Sequence, residues 1–224
     1  MNCDRGIWAV IPVKEIALAK TRLGPTLAVA LRQELARAMI EDVLEAIAAV
    51  DGLAGVAVVT IDPWAAGIAE RYGGVVFDEG ARDGHTGAVM AAARRLEREG
   101  RGGMLTLPGD VPGITPDEIE ALLSHHRAAP SFTIVPAHDR RGSNAIVMSP
   151  PSAVALAFGN DSFEPHLAAA RAVGIEPTIV TGLPGIARDV DGFDDARALL
   201  TSGRSRRARE VLLRRASDPA MQVT

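Results

Sequence analysis

A chain of 224 residues with 47% hydrophobic content suits one domain with a real core, or one domain with a small appendage. A net charge of −4 argues against a general nucleic-acid binder, and no run approaches the roughly 18 apolar residues of a membrane span. The N-terminus, MNCDRGIWAVIPV, carries an acidic residue and reaches Pro12 too soon for a signal peptide, while the single cysteine, Cys3, excludes an intrachain disulfide, so a reducing, cytoplasmic location is expected.

Ile7 to Val13 is a continuous apolar run, the pattern of a strand covered on both faces. Lys14, Lys20 and Arg22 follow it. All but Lys14 and Lys20 of the 24 basic residues are arginine, so the two lysines mark places where a compact ammonium is wanted. Three cations after a first strand suggest phosphate binding, against the alternative of solvated surface charges. Ala19 stands where a Walker A loop has glycine, and no GxGxxG occurs.

Leu31, Leu35, Met39, Val43, Ile47 and Val50 form a helical stripe within residues 27–50. Val56 to Thr60 reads as a second strand, Asp62-Pro63 as the start of a helix closing at Tyr72-Gly73-Gly74, and Val75 to Phe77 as a third strand. Asp78 to Gly87 is polar and glycine-rich, with a helix expected from Ala88 to Glu99. The loop empties onto the start of that helix near His85-Thr86-Gly87 and would present free backbone N–H groups to an anion or a base edge. His85 is a candidate ligand, or simply hydrogen-bonds locally.

Met104 to Leu107 is a strand that Pro108 and Gly109 end, and Asp110 follows at once. A carboxylate at the carboxyl end of a buried strand sits where open α/β sheets bind ligands; the alternative is a turn cap. Thr115-Pro116-Asp117-Glu118 predicts a helix to Arg127 with a capping box closed by Glu118. Phe132 to Pro136 and Ala145 to Met148 predict a hairpin around Ala137 to Asn144. Ser162 is by default a capping residue ahead of a helix. Ile175 to Val180 predicts a further strand. Asp189 and Asp191, two apart, would alternate faces of a strand, and Phe193 to Leu200 reads as the final helix. Residues 1–201 are thus read as one domain. Residues 202–224 are read as a tail with six arginines, either a helix with a basic face or a partly ordered segment, with no catalytic role.

Cations after strand one, Asp110 after a central strand, and Asp189 and Asp191 later suit Mg²⁺ shared with substrate phosphates, which points to phosphoryl or nucleotidyl transfer. GxSxG, HExxH and CxxC are all missing.

IPVKEIALAKTRL, LTLPGDVPGIT, RRGSNAIVMSPP, FGNDSFEPHLAAA and PGIARDVDGFDDARALL together resemble, in order and spacing, the guanylyltransferases of deazaflavin coenzyme F-420 biosynthesis. That resemblance implies a nucleotidyltransferase-type, Rossmann-like α/β fold: a mostly parallel sheet flanked by helices, with a small β-hairpin insertion. It implies GTP and a phosphorylated three-carbon acid as substrates (2-phospho-L-lactate, phosphoenolpyruvate or 3-phospho-D-glycerate), Mg²⁺ as cofactor, and release of pyrophosphate. Lys14, Lys20 and Arg22 would hold the triphosphate, and Lys20, Arg22 and Asp110 would be catalytic. Asp110 and one or both of Asp189 and Asp191 would hold the metal. Ser143, Asn144, Gly159 and Ser162 would grip the acid, with Ser143 standing where the family often has threonine. Gly84 and Thr86 are carried over as nucleotide contacts, although Gly84-His85-Thr86 replaces the family's Gly-Leu-Asn. A molybdopterin or sugar-phosphate nucleotidyltransferase and a non-catalytic nucleotide-binding module are the rival readings. A homodimer through residues 130–150 is a candidate assembly.

Overall fold

The computed structural model describes residues 6–18, 20, 23 and 27–216. Cys3 and Arg22 lie outside the described residues, as does the end of the chain after 216.

Among the described residues seven strands form one sheet: β1 (Ile7–Pro12), β2 (Leu53–Val59), β3 (Val75–Phe77), β4 (Gly103–Thr106), β5 (Ser131–Pro136), β6 (Ser143–Ser149) and β7 (Thr178–Ile179). Their order is β3-β2-β1-β4-β6-β5-β7, parallel everywhere except on the two sides of β6. The hairpin is therefore an integral part of the sheet: β6 slots antiparallel against β4, pairing Leu105 with Val147.

The period of two along each strand divides the core into two layers. Ala9, Ile11, Leu105 and Val147 face one side, where they meet α1 (Val29–Ala48), α2 (Pro63–Arg71), α4 (Pro116–Ser124), α7 (Phe193–Ser202) and α8 (Arg207–Ala216). Val10, Met104, Ile146 and Met148 face the other, against α3 (Gly84–Arg98) and α5 (Phe163–Ala172). A short helix, α6 (Pro184–Ala187), precedes Asp189.

Five expectations change. The helix from Phe193 runs to Ser202 and is not the final one, because Asp42 on α1 accepts the Ser205 hydroxyl and the Arg207 and Ala208 N–H groups that open α8. The third helix begins at Gly84 rather than Ala88, because Gly84 takes a left-handed φ of 73° that turns the chain directly into the first helical turn. The helix after Thr115 ends at Ser124, three residues early. Only Thr178 and Ile179 of the expected 175–180 strand pair, since this edge has one neighbour and Pro177 has no N–H to donate. Asp189 and Asp191 lie on no strand. Among the described residues no helix is long and apolar enough to cross a membrane.

Candidate active site

Strand order makes the crevice. β1 has β2 on one side and β4 on the other, so the loops leaving the carboxyl ends of β1 and β4 depart in opposite directions and leave a cleft between them. The cleft encloses about 310 Å³; its polar lining includes Lys14, Lys20, His85, Asp110 and Asp191, and Ile16, Met39 and Ile40 form an apolar wall. Lys14 is exposed at its edge.

Lys20 is the centre of charge. Its Nζ stands 2.6 Å from Asp110 Oδ2 and 2.9 Å from Asp191 Oδ1, and its backbone holds a left-handed φ of 54°. Burial alone would lower its pKa; the two carboxylates, by charge and by hydrogen bonding, outweigh this and hold the ammonium above the ordinary lysine value.

The irregular segment after α6 carries the other two carboxylates and is pinned from several directions. The Val190 N–H donates to the Asp110 carbonyl at 2.9 Å. Asn144 Nδ2 donates to the Ile186 carbonyl at 3.1 Å and to Asp189 Oδ1 at 3.2 Å. Asp195 Oδ2 accepts from the N–H groups of Asp191 and Gly192. Burial, reinforced by the charge of Asp110, raises the pKa of Asp189 against the opposing hydrogen bond from Asn144. Among the described residues no group of three or more acidic, histidine or cysteine side chains is already drawn into metal-ligand spacing. Two carboxylates do converge on one cation, the Lys20 ammonium, and their hard oxygen donors are the kind Mg²⁺ takes.

A second group lies around Ser143. The Ala157 N–H donates to His166 Nε2 at 3.0 Å, so the neutral ring carries its proton on Nδ1 and donates it to Ser143 Oγ at 2.9 Å. Ser143 then keeps its own hydroxyl proton to donate elsewhere. Phe158 stands edge-on between His85 and His166, with ring centroids 4.4 and 5.0 Å away, and its N–H donates to Thr86 Oγ1 at 2.9 Å. The start of α3 and residues 157–166 thus make one wall. Burial lowers both histidine pKa values to about 4; the Lys14 charge adds to this at His85 against Asp110, and His85 adds to it at His166.

The expected residues therefore fall into two neighbouring groups. Lys14, Lys20, Asp110 and Asp191 share the cleft, and Asp189, held by Asn144, lies near enough to feel the charge of Asp110. Ser143 meets the segment containing Ser162 through His166. Ser162 is buried at the start of α5 but makes no side-chain cap bond, contrary to its expected capping role. Gly84 and Gly159 are exposed, with open space where a side chain would be. Sequence reasoning did not single out His166; its spacing of one helical turn from Ser162 was the available signal.

A family model described as "Guanylyl transferase CofC like" matches residues 7–218. The chain is 37% identical over 201 residues to the phosphoenolpyruvate guanylyltransferase of Conexibacter woesei, covering 89% of this chain and 90% of that protein. It is 35% identical over 195 residues to the 3-phospho-D-glycerate guanylyltransferase of Colwellia psychrerythraea, covering 86% and 91%. In fold it is similar to a nucleotidyl transferase from Methanothermobacter thermautotroptrophicus, with a TM-score of 0.62 at 15% identity over 93% of this chain and 98% of that one.

Proposed function

The chain belongs to the CofC-like guanylyl transferase family, and from that premise we propose that it joins GMP from GTP to a phosphorylated three-carbon acid, releasing pyrophosphate, in coenzyme F-420 biosynthesis. Phosphoenolpyruvate and 3-phospho-D-glycerate are the acceptors its relatives' names favour, with 2-phospho-L-lactate the third candidate. A cytoplasmic location belongs to the same reading. The observation that carries it is the Lys20 ammonium held between Asp110 and Asp191 in the switch-point cleft, beside Lys14.

In this reading a phosphate oxygen of the acid attacks the α-phosphorus of GTP in line. The new P–O bond forms as the bond from the α-phosphorus to the bridging oxygen breaks, and pyrophosphate departs with that electron pair. The nucleophile is already an anion, so no side chain need remove a proton, and the work of the site is to bring two polyanions into contact. Lys14 and Lys20 bring positive charge to the triphosphate; Arg22 joins them by resemblance. Asp110 and Asp191, with Asp189 beside them, would hold Mg²⁺, which when bound neutralises phosphate charge. Ser143, oriented by His166, offers a hydroxyl donor to the acid. Asn144 fixes Asp189, and Ser162 and Gly159 complete the acid's side of the reading. Gly84 and Thr86 present the start of α3 to the nucleotide.

Phosphorus NMR of the purified protein with GTP, Mg²⁺ and phosphoenolpyruvate tests this. The reading expects a pair of mutually coupled diphosphate resonances from the joined product, growing together with free pyrophosphate. GTP cleavage to GMP or GDP without that pair would contradict it, whichever of the three acids is supplied.

A further inference from the structure

Glu118 is not the capping-box partner its sequence position suggests. Thr115 Oγ1 does accept the Glu118 N–H at 3.3 Å, but the Glu118 carboxylate turns away into the core, 7% exposed. Its Oε1 accepts the Gly185 N–H at 3.0 Å and Arg204 Nη1 at 2.8 Å, while Oε2 is buried with no partner. Arg204 also donates to the Gly113 carbonyl at 3.4 Å. Gly113 and Gly185 pass so closely that a Cβ on Gly185 would run into the Gly113 carbonyl and the Glu118 carboxylate.

These contacts join the two loops that carry the acidic groups. Gly113 lies three residues after Asp110, and Gly185 opens the segment that leads to Asp189 and Asp191. The Val190–Asp110 backbone bond closes the other end of the same junction. A buried carboxylate with a bare oxygen is costly unless a cation compensates it, and among the described residues Arg204 is the cation paired with it. Arg204 comes from the C-terminal segment, to which the sequence assigned no part in the site.

We propose that Arg204 is a positioning residue for the acidic site: through Glu118 it clamps Gly185 to Gly113 and so sets the spacing of Asp110 from Asp189 and Asp191. This rests on the metal-dependent reading above. Without Arg204 the Glu118 charge is uncompensated, the clamp relaxes, and the carboxylates no longer meet on one cation. Replacing Glu118 by glutamine removes that charge but leaves an oxygen to accept the Gly185 N–H, so it should rescue the loss.

The test is Mn²⁺ binding in the presence of GTP, followed by paramagnetic resonance on full-length wild type, Arg204→Ala, Arg204→Ala/Glu118→Gln and Arg207→Ala, with thermal melting of each. Arg207→Ala controls for stability: it loosens α8 through Asp42 and Glu45 without touching Glu118. Arg204→Ala is expected to weaken Mn²⁺ binding by about tenfold or more, the double variant to recover most of it, and Arg207→Ala to stay within about twofold of wild type despite a lower melting temperature. Equal Mn²⁺ affinity in Arg204→Ala and wild type overturns the proposal, as does an equal loss in Arg207→Ala. Wild type that binds no Mn²⁺ with GTP removes the metal-dependent reading itself, and this inference with it. If Arg204→Ala fails to fold, Arg204→Lys takes its place, expected to weaken binding less than tenfold but measurably; unchanged affinity there overturns the proposal too.

Discussion

Asp110 has two jobs that one substitution can separate. Its side chain is part-exposed and pairs with Lys20, while its backbone carbonyl receives Val190. Asp110→Asn keeps the shape and the backbone bond but removes the charge, so kcat/KM should fall on the order of 10²–10³-fold or more with the melting temperature little changed. Near-wild-type turnover would contradict its placement in the site. His166 belongs at this scale as well. Its ring is held neutral in the fold, with a pKa near 4 against an ordinary 6.5, so between those values the unfolded chain binds a proton that the folded chain does not. Stability must then fall as pH drops through this window, by about 1–2 kcal/mol for this group between pH 7 and 5. Urea unfolding at the two pH values measures it, and His166→Asn should remove about this much of the difference, leaving the share that the similarly lowered His85 contributes. Asp110 was legible because Pro108, Gly109 and Pro112 isolate one carboxylate at a strand end. His166 and Glu118 were not, since their roles depend on partners 23 and 67 residues away.

At the scale of elements, local chemistry was most readable where cap and pattern agree. Asp62-Pro63 announces α2: Asp62 Oδ1 accepts from the Trp64 and Ala65 N–H groups, as its type and position require. Its Oδ2 also accepts the Ile16 N–H at 2.9 Å, tying this cap to the segment that leads to Lys20. Asp62→Ala should therefore cost about 1–2 kcal/mol and a few degrees of melting temperature, and raise the KM for nucleotide, which steady-state kinetics beside a thermal melt can check. The boundary of α3 was harder. Nothing in a polar, glycine-rich run from 78 to 87 shows that Gly84 will take a left-handed turn into a helix. The Asp189–Asp191 segment was also opaque, because hydrogen bonds from β6, α7 and the Asp110 loop hold it, rather than any periodicity of its own.

The whole molecule is an α/β/α sandwich in which α8 completes the layer over α1. Ala208, Val211 and Leu212 enter the main core, and Asp42, 6% exposed on α1, accepts from Ser205 Oγ, the Arg207 N–H and the Ala208 N–H. The arginines left this segment open between a helix with a basic face and a partly ordered tail, and α8 is the helix. Its docking depends on a buried aspartate more than 160 residues earlier, a pairing no local pattern announces. A chain ended after Ser202 would leave Asp42 without these partners and bare the apolar faces of α1 and α7. It should lose about 3–5 kcal/mol of stability, seen as an earlier thermal transition; an unchanged transition would show that the segment is dispensable to the fold.

The central claim is a choice of two substrates, and pyrophosphate release tests it directly. Purified protein with Mg²⁺ is supplied with GTP, ATP, CTP or UTP, each paired with phosphoenolpyruvate, 3-phospho-D-glycerate or 2-phospho-L-lactate. The account predicts release with GTP and one of these acids, slowed in Asp110→Asn on the order of 10²–10³-fold or more. No release across the whole grid from folded protein, or release that favours another nucleotide, would contradict it.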